Sequence, residues 1–588
     1  MYTNRYILRT FLALLFLFSS AQTYPQAVEI ENLDRSAVYV SGGSITSPPH
    51  KTNWGFICVQ DNRFISAASK SGQNLWLTNV QDKINYICVT HNDFTYVVTQ
   101  KNNLSLLNPS GLKLWTSAID FTPVNEPLAD SDRVYITSGT EVSCYSISGL
   151  KKWKIQTEKQ SSLKMRLLND SSILVFLEKT DGAKTCAVRI SPYGNIIEQI
   201  VFQGTVLNSF YTEYGVILAF SDGKIGMCSV DFSKKGIENY MTFSKWVNNR
   251  VFCNSNTVSR KVSEKEYALF TPKESVYIIN ISDGICKLSF SVPELKQNVR
   301  PSFDFVDNKF IIFDDTDCAI YGVNGKLIKT YKMPLKNGKY SWNHSLFIDH
   351  GILCFFAKDW TINVFKIIST SKENEISKYD VYEEINSTHR RNTFLTNEVY
   401  YPKKSAFSDS VYKTVKQGNY GPEEIRITED LNAVLTARIE EKNTRQTRPR
   451  EENIIKILYT PSDMERVINL VPELHSIYLQ ETLLEYLKNE NDRTLKAKAL
   501  DAFCAFPYDP DGEILTEIER IIRTSGKDDY IILKSCTECV YSICRFMGRP
   551  ALYSKGRKIL SSLFYPQYDE KTKSASRAAL QKLADLNM

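Results

Sequence analysis

Asp314-Asp-Thr-Asp317 sets three carboxylates within four positions, a spacing that can hold a hard cation through oxygen ligands. Asp314, Asp315 and Asp317 are therefore the weak metal candidates of the chain. A run of this composition also makes a solvated hairpin tip, and the turn-forming residue types favour that reading. Cys536-Thr-Glu-Cys539, with Cys504 and Cys544 nearby, has the two-residue spacing used by zinc and redox sites. A zinc site needs a second pair at suitable spacing. A three-residue step on a helix also puts both thiols on one face, where they would pack in a core. The six histidines, His50, His91, His344, His350, His389 and His475, show no metal-ligand spacing. No glycine-rich phosphate loop, nucleophile elbow or adjacent cysteine pair occurs. These residues give no catalytic group and no cofactor-binding set, and the expectation is a protein without a cofactor that is not an enzyme.

The elements that would position any site are easier to read. Ser71-Gly-Gln-Asn-Leu-Trp76, Ser110-Gly-Leu-Lys-Leu-Trp115 and Ser148-Gly-Leu-Lys-Lys-Trp153 recur at intervals of 39 and 38 residues. Each joins an alternating apolar run to a segment ending in Trp, the pattern of a hairpin whose glycine takes a positive φ. Gly72, Gly111 and Gly149 therefore mark turns, Trp76, Trp115 and Trp153 mark the strand after each, and Gly194 repeats the turn without the Trp. Ser or Asn stands three places before the glycine and can close the turn through its own backbone. Fainter turns at Gly236, Gly284 and Gly325 extend the series. A period near forty with strand character predicts an all-β propeller over residues 36–368. Eight units fit, with seven as the alternative if the weakly patterned stretch from Asn248 to Glu266 fails to form a blade. Ser36-Ala-Val-Tyr-Val40 is expected to supply the outer strand that closes the ring.

The Gly turn followed four residues later by Trp resembles the repeat of the quinoprotein-type (PQQ-like) propellers. That family includes quinone-dependent dehydrogenases and also non-enzymatic members such as the propeller subunit of the bacterial outer-membrane barrel-assembly machinery. The resemblance implies that Trp76, Trp115 and Trp153 pack between adjacent blades. Glu198, Tyr240, Leu288 and Lys329 occupy the Trp slot in later copies, so packing there must differ. The adjacent cysteines and calcium ligands of the quinone enzymes have no counterpart here.

At the amino terminus, Arg5 and Arg9 precede the apolar run Phe11-Leu-Ala-Leu-Leu-Phe-Leu-Phe18 and the small residues Ser19, Ser20 and Ala21. This is the layout of a signal peptide over residues 1–21, with cleavage as late as 27 as the alternative. Eight apolar residues are too few to span a bilayer, and no later stretch is long enough, so no transmembrane span is expected in the mature chain. The expected location is periplasmic or extracellular. Formal charge of +6 on 588 residues, with no block of one sign, makes nucleic acid an unlikely partner. The odd count of thirteen cysteines, several in similar strand slots, reads as free, shielded thiols.

Residues 369–460 turn polar and read as a linker with one helix, in which Ile427, Leu431, Val434 and Leu435 share a face. After Thr460 the apolar period changes from 2 to 3.6, and residues 461–588 read as an all-α domain of HEAT-like helical repeats. The whole points to an exported, non-catalytic scaffold or receptor that binds other proteins, envelope components among them. The alternatives are a PQQ-dependent dehydrogenase and a carbohydrate- or peptide-binding surface propeller.

Overall fold

The computed structural model describes residues 29–34, most of 45–368, and 409–416, 423–447 and 459–586. Alternating apolar strands build eight four-stranded antiparallel sheets. The first seven span residues 50–79, 84–118, 128–156, 166–203, 206–246, 258–291 and 302–332 in chain order, each a simple meander. The eighth joins the strands of 342–368 to the amino-terminal strand Glu29–Asp34. First strands of consecutive sheets pack side by side, as between His50–Lys51 and Ile84–Val89, and between Ser302–Val306 and Trp342–Phe347. The sheets are therefore the blades of a ring, with each first strand innermost.

One expectation needs revision, and the favoured blade count holds. The closing strand is Glu29–Asp34, paired with Ile362–Ile368, and not Ser36–Val40, which lies outside the described residues. Glu29-Ile-Glu-Asn-Leu-Asp is mostly polar, as suits an outermost strand with one wet face, and it carries a register shift between Asn32 and Asp34. The weakly patterned stretch does supply an inner strand, Val258–Lys261, which is why there are eight blades and not seven. The signal segment lies outside the described residues, and so do Asp314 and Asp315. Asp317 opens the strand Asp317–Gly322, but its side chain is not described.

Nine α-helices follow among the described residues: α1 Asp409–Lys416, α2 Glu424–Thr447, α3 Pro461–Leu474, α4 Ile477–Asn489, α5 Arg493–Ala505, α6 Glu513–Thr524, α7 Tyr530–Met547, α8 Pro550–Ser562 and α9 Glu570–Ala584. Their boundaries follow local chemistry. Thr460 and Asp463 form a capping box at α3, and Asp492 caps α5. Pro550 opens α8 and Gly548, at φ 60°, ends α7. Odd-numbered helices pack successively in one layer, α1 on α3, α3 on α5, α5 on α7 and α7 on α9, while α2 packs on α4 and α6 on α8 in the other. This two-layered stack is the arrangement of an α-solenoid.

Residues 369–460 are expected to hold one helix within a linker; the described part holds that helix, α2, together with α1, and α2 is packed into the fold. Ile427, Leu431, Val434 and Leu435 are buried in one core that also holds Phe94, Tyr96, Val134 and Ile136 of the ring. The composition reads as polar because α2 is apolar on one stripe only. That stripe packs on α3 and α4 within the core shared with the ring.

Candidate functional site: the seam between ring and solenoid

The repeat's own geometry comes first, because the seam is built on it. Ser69, Asn108, Ser146 and Ser191 each accept, through the side-chain oxygen, a backbone N–H four residues on, and so close the turns at Gly72, Gly111, Gly149 and Gly194. These four glycines have φ between 79° and 87°. Each turn also receives a residue from the preceding blade. Trp76 Nε1 donates to the Pro109 carbonyl at 2.9 Å, Trp115 to Ile147 at 2.8 Å and Trp153 to Pro192 at 2.8 Å. A Cβ at Gly111, Gly149 or Gly194 would lie within 2.6, 2.9 or 2.7 Å of the Trp beneath it. The glycine thus serves two needs, a left-handed backbone and a flat surface for an indole.

Where the Trp is missing, another residue takes over. A Cβ on Gly325 would meet Phe290 at 2.4 Å, and one on Gly72 would meet Val364 at 2.9 Å, which joins the eighth blade to the first. The packing residue of the sixth blade is therefore Phe290, two places beyond Leu288 in the Trp slot, so packing there does differ as expected. A register shift in the strand Cys286–Ser291 leaves Leu288 half-exposed and turns Phe290 inward.

The same kind of register shift lies just before each Trp. It leaves Leu75, Leu114 and Lys152 as the unpaired residues of their strands. Leu75 is exposed, and Leu114 packs against the shared core. Lys152 is buried, and its ammonium donates to Glu424 Oε1 at 3.2 Å and to the Leu474 carbonyl. Arg133, among the largest fully buried side chains, donates to the same Oε1 at 2.8 Å and to the Pro192 carbonyl at 2.6 Å. Its guanidinium also lies 5.2 Å from the Tyr193 ring centre and 3.6 Å from Asp132. Two cations of the ring therefore close on one carboxylate in the first turn of α2.

Burial alone would raise the Glu424 pKa, but Arg133 and Lys152 outweigh it and hold the carboxyl below its ordinary value. Arg133 is burdened by the same desolvation and is nonetheless held further toward its charged form by Glu424 and Asp132. His475, which ends α3 at φ 47°, has its pKa pushed down to about 3 by burial and by Lys152, so it is neutral. It packs edge-on against Phe506.

A second contact group lies on the second blade. Asn92 donates to the Tyr508 hydroxyl and accepts from Arg549 at 2.8 Å. Asn108 closes its own turn with Oδ1 and uses Nδ2 to donate to the Arg545 carbonyl at 2.8 Å. A Cβ on Gly548 would fall 2.5 Å from that amide, so the end of α7 can approach the ring only as glycine. Phe94 packs on Phe546, with ring centres 5.4 Å apart. The solenoid therefore docks through its α1–α2, α3–α4, α5–α6 and α7–α8 junctions, one edge of the stack.

Apart from Asn108, which belongs to the turn motif, these seam residues carry no repeat motif. Two had a faint signal within the repeat: Lys152 stands where the other clear copies have Leu, and Asn108 stands where they have Ser. The cysteines that drew attention are core residues. Cys536 and Cys539 are fully buried with pKa values driven up by desolvation, and the described cysteines are all free. Among the described residues no group of His, Cys, Asp and Glu could hold a metal ion, and no helix is long and apolar enough to cross a membrane.

Residues 61–192 match the family model described as outer membrane protein assembly factor BamB, a PQQ-repeat family. The ring is a β-propeller, and its part within residues 61–192 is similar to the PQQ-type repeat. The match takes in Trp76, Trp115 and Trp153 and ends just before Gly194, on which Trp153 packs. Among solved structures, BamB from Moraxella catarrhalis is 14% identical, with a TM-score of 0.42 over 59% of this chain and 99% of that one. The Pan2 WD40 domain of Neurospora crassa is 12% identical, with a TM-score of 0.32 over 49% of this chain and 90% of that one. No curated protein matches the chain.

Proposed function

We propose that this protein is an exported, non-catalytic scaffold in which propeller and solenoid act as one recognition body for other proteins of the cell envelope. The observation that carries this reading is the Arg133–Glu424–Lys152 cluster. It fixes the angle between two architectures that both present broad surfaces for protein partners. A hinged pair would bind two partners independently, whereas a locked pair offers one composite surface of fixed geometry. The match of residues 61–192 to an outer-membrane assembly factor and the amino-terminal apolar segment favour the envelope as the place.

The test is affinity capture from a native envelope fraction, using the full chain and a Glu424→Lys variant that sets a third cation against Arg133 and Lys152. A defined partner should be retained by the wild type and lost by the variant. Retention of the same partner by a variant whose solenoid has come away, as judged by scattering, would overturn the composite-surface reading. In parallel, the protein mixed with pyrroloquinoline quinone and calcium should give neither cofactor absorbance nor dye reduction. Dye reduction would instead establish an enzyme.

A further inference from the structure

The register shift that sets Leu75, Leu114 and Lys152 apart recurs in the fourth blade, where it leaves Ile197 as the unpaired residue of the outermost strand Ile196–Gln203. Four consecutive blades thus carry the same bulged residue. The middle two meet the solenoid: Leu114 is half-buried against the shared core, and the Lys152 ammonium is held by Glu424 of α2 and the Leu474 carbonyl of α3. The outer two, Leu75 and Ile197, are exposed.

Of these two flanks, the fourth blade is the one continuous with the seam. Arg133 donates to the Pro192 carbonyl and lies over the Tyr193 ring, and the exposed stretch begins three residues further on. Ile196, Ile197 and Val201 are 46%, 39% and 48% exposed on a single strand. Outermost strands commonly carry lysine, which discourages other chains from sticking to them. Those of the second, third, fifth, sixth and seventh blades do so, at Lys113, Lys151, Lys245, Lys287 and Lys329, and that of the eighth has three acids. The first and fourth, on either side of the solenoid, have no lysine. An apolar run without that protection, next to a face that helices already cover, has the chemistry of an interface.

We infer that the outermost strand of the fourth blade is a docking surface for a helix of a partner polypeptide, one that presents an aliphatic stripe at helical spacing. The helical form follows from the second and third blades, whose equivalent residues are met by helices. Docked there, the guest extends the row of helices on this side of the ring. That the helix comes from a partner rests on the scaffold reading.

The full-length protein is titrated with three labelled model peptides of equal length and net charge. One has leucines at i, i+3, i+4 and i+7, the second has the same leucines alternating with polar residues, and the third has glutamine in place of every leucine. The first should bind, the second about tenfold more weakly or worse, and the third not at all. Replacing Ile196→Ser, Ile197→Ser and Val201→Ser together should weaken the first peptide about tenfold. Ile531→Ser, an equally apolar and exposed change on α7, should leave it unchanged. If the triple variant melts early, Ile197→Ser alone decides, and it too should weaken binding. An unaffected variant, or no binding of the first peptide, would overturn the site. Tighter binding of the alternating peptide would show strand addition and overturn the helical guest. Dimers of the wild type in light scattering that the triple variant abolishes would make a second copy the occupant and overturn the partner. If the triple variant still captures the envelope partner as the wild type does, the docking inference falls and the scaffold reading stands.

Discussion

Two kinds of joint hold this molecule together, and they are made of opposite materials. Between blades, an indole or phenyl ring lies flat on a glycine turn, and the contact is apolar with one hydrogen bond at the indole N–H. Between propeller and solenoid, a buried carboxylate is gripped by two buried cations. Apolar contacts of the first kind tolerate exchange of one ring for another, as Phe290 in place of a Trp indicates. The ionic joint tolerates almost nothing, because removing one partner leaves the others desolvated and unpaired. A repeat can be copied from blade to blade with drift. A charge cluster has to be kept whole.

The largest effect should therefore come from the ionic joint. Glu424→Ala leaves Arg133 and Lys152 buried without their shared carboxylate and should destabilise the protein by about 3–5 kcal/mol, seen as a lower melting temperature. A loss under about 1 kcal/mol, as for a surface pair, would show that the cluster is hydrated and cheap. The pH dependence has a definite sign. The folded-state pKa of Glu424 lies below its reference value of 4.5, so its stabilising contribution is full above that value and fades as pH falls toward the folded pKa. Glu424→Gln should remove this part of the acid sensitivity, which acid titration of the melting temperature can check.

Trp153→Ala comes next. Trp153 is 7% exposed, and truncating a buried aromatic costs about 3–5 kcal/mol. Trp115, only half-buried, should cost less when replaced in the same way. A reversed order in chemical denaturation would mean that exposure does not rank these joints. The sixth blade sharpens the comparison, since Phe290 is 9% exposed and Leu288 51%. Phe290→Ala should approach the Trp values, whereas Leu288→Ala should stay within about 0.5 kcal/mol of wild type. Smaller than the aromatic truncations is Asn108→Ser, which restores the residue found at the equivalent place in the other clear copies. It should keep the turn closed, lose only the bond to the Arg545 carbonyl, and cost about 0.5–1.5 kcal/mol.

The comparison also explains what could be read from the sequence. The blade joint repeats, so Gly72, Gly111, Gly149 and Gly194 announced the ring, and helical periodicity announced the solenoid. The seam occurs once. Arg133 and Glu424 stand 291 residues apart, and Asn92 and Arg549 stand 457 apart. Such pairs have no local pattern to betray them. Ile427, Leu431, Val434 and Leu435 were visible as a helical face, but nothing in that face said what would cover it. Lys152 and Asn108 could have been found by asking where an otherwise regular repeat changes residue type. Phe290 was not visible from spacing, because the register shift of its strand falls after the Trp slot and not before it as in the Trp strands.

The pairing of Glu29–Asp34 with Ile362–Ile368 has a kinetic consequence. Most strand pairs in the ring join neighbours in the chain, but this one closes a loop of more than three hundred residues. Chain-entropy scaling sets the extra cost at about 3 kcal/mol relative to a ten-residue hairpin loop. The ring should thus assemble as an open arc of seven blades and a three-stranded remnant, and shut late. Until it shuts, Ile362–Ile368 presents a bare apolar edge to any passing strand, including the same strand of a second copy.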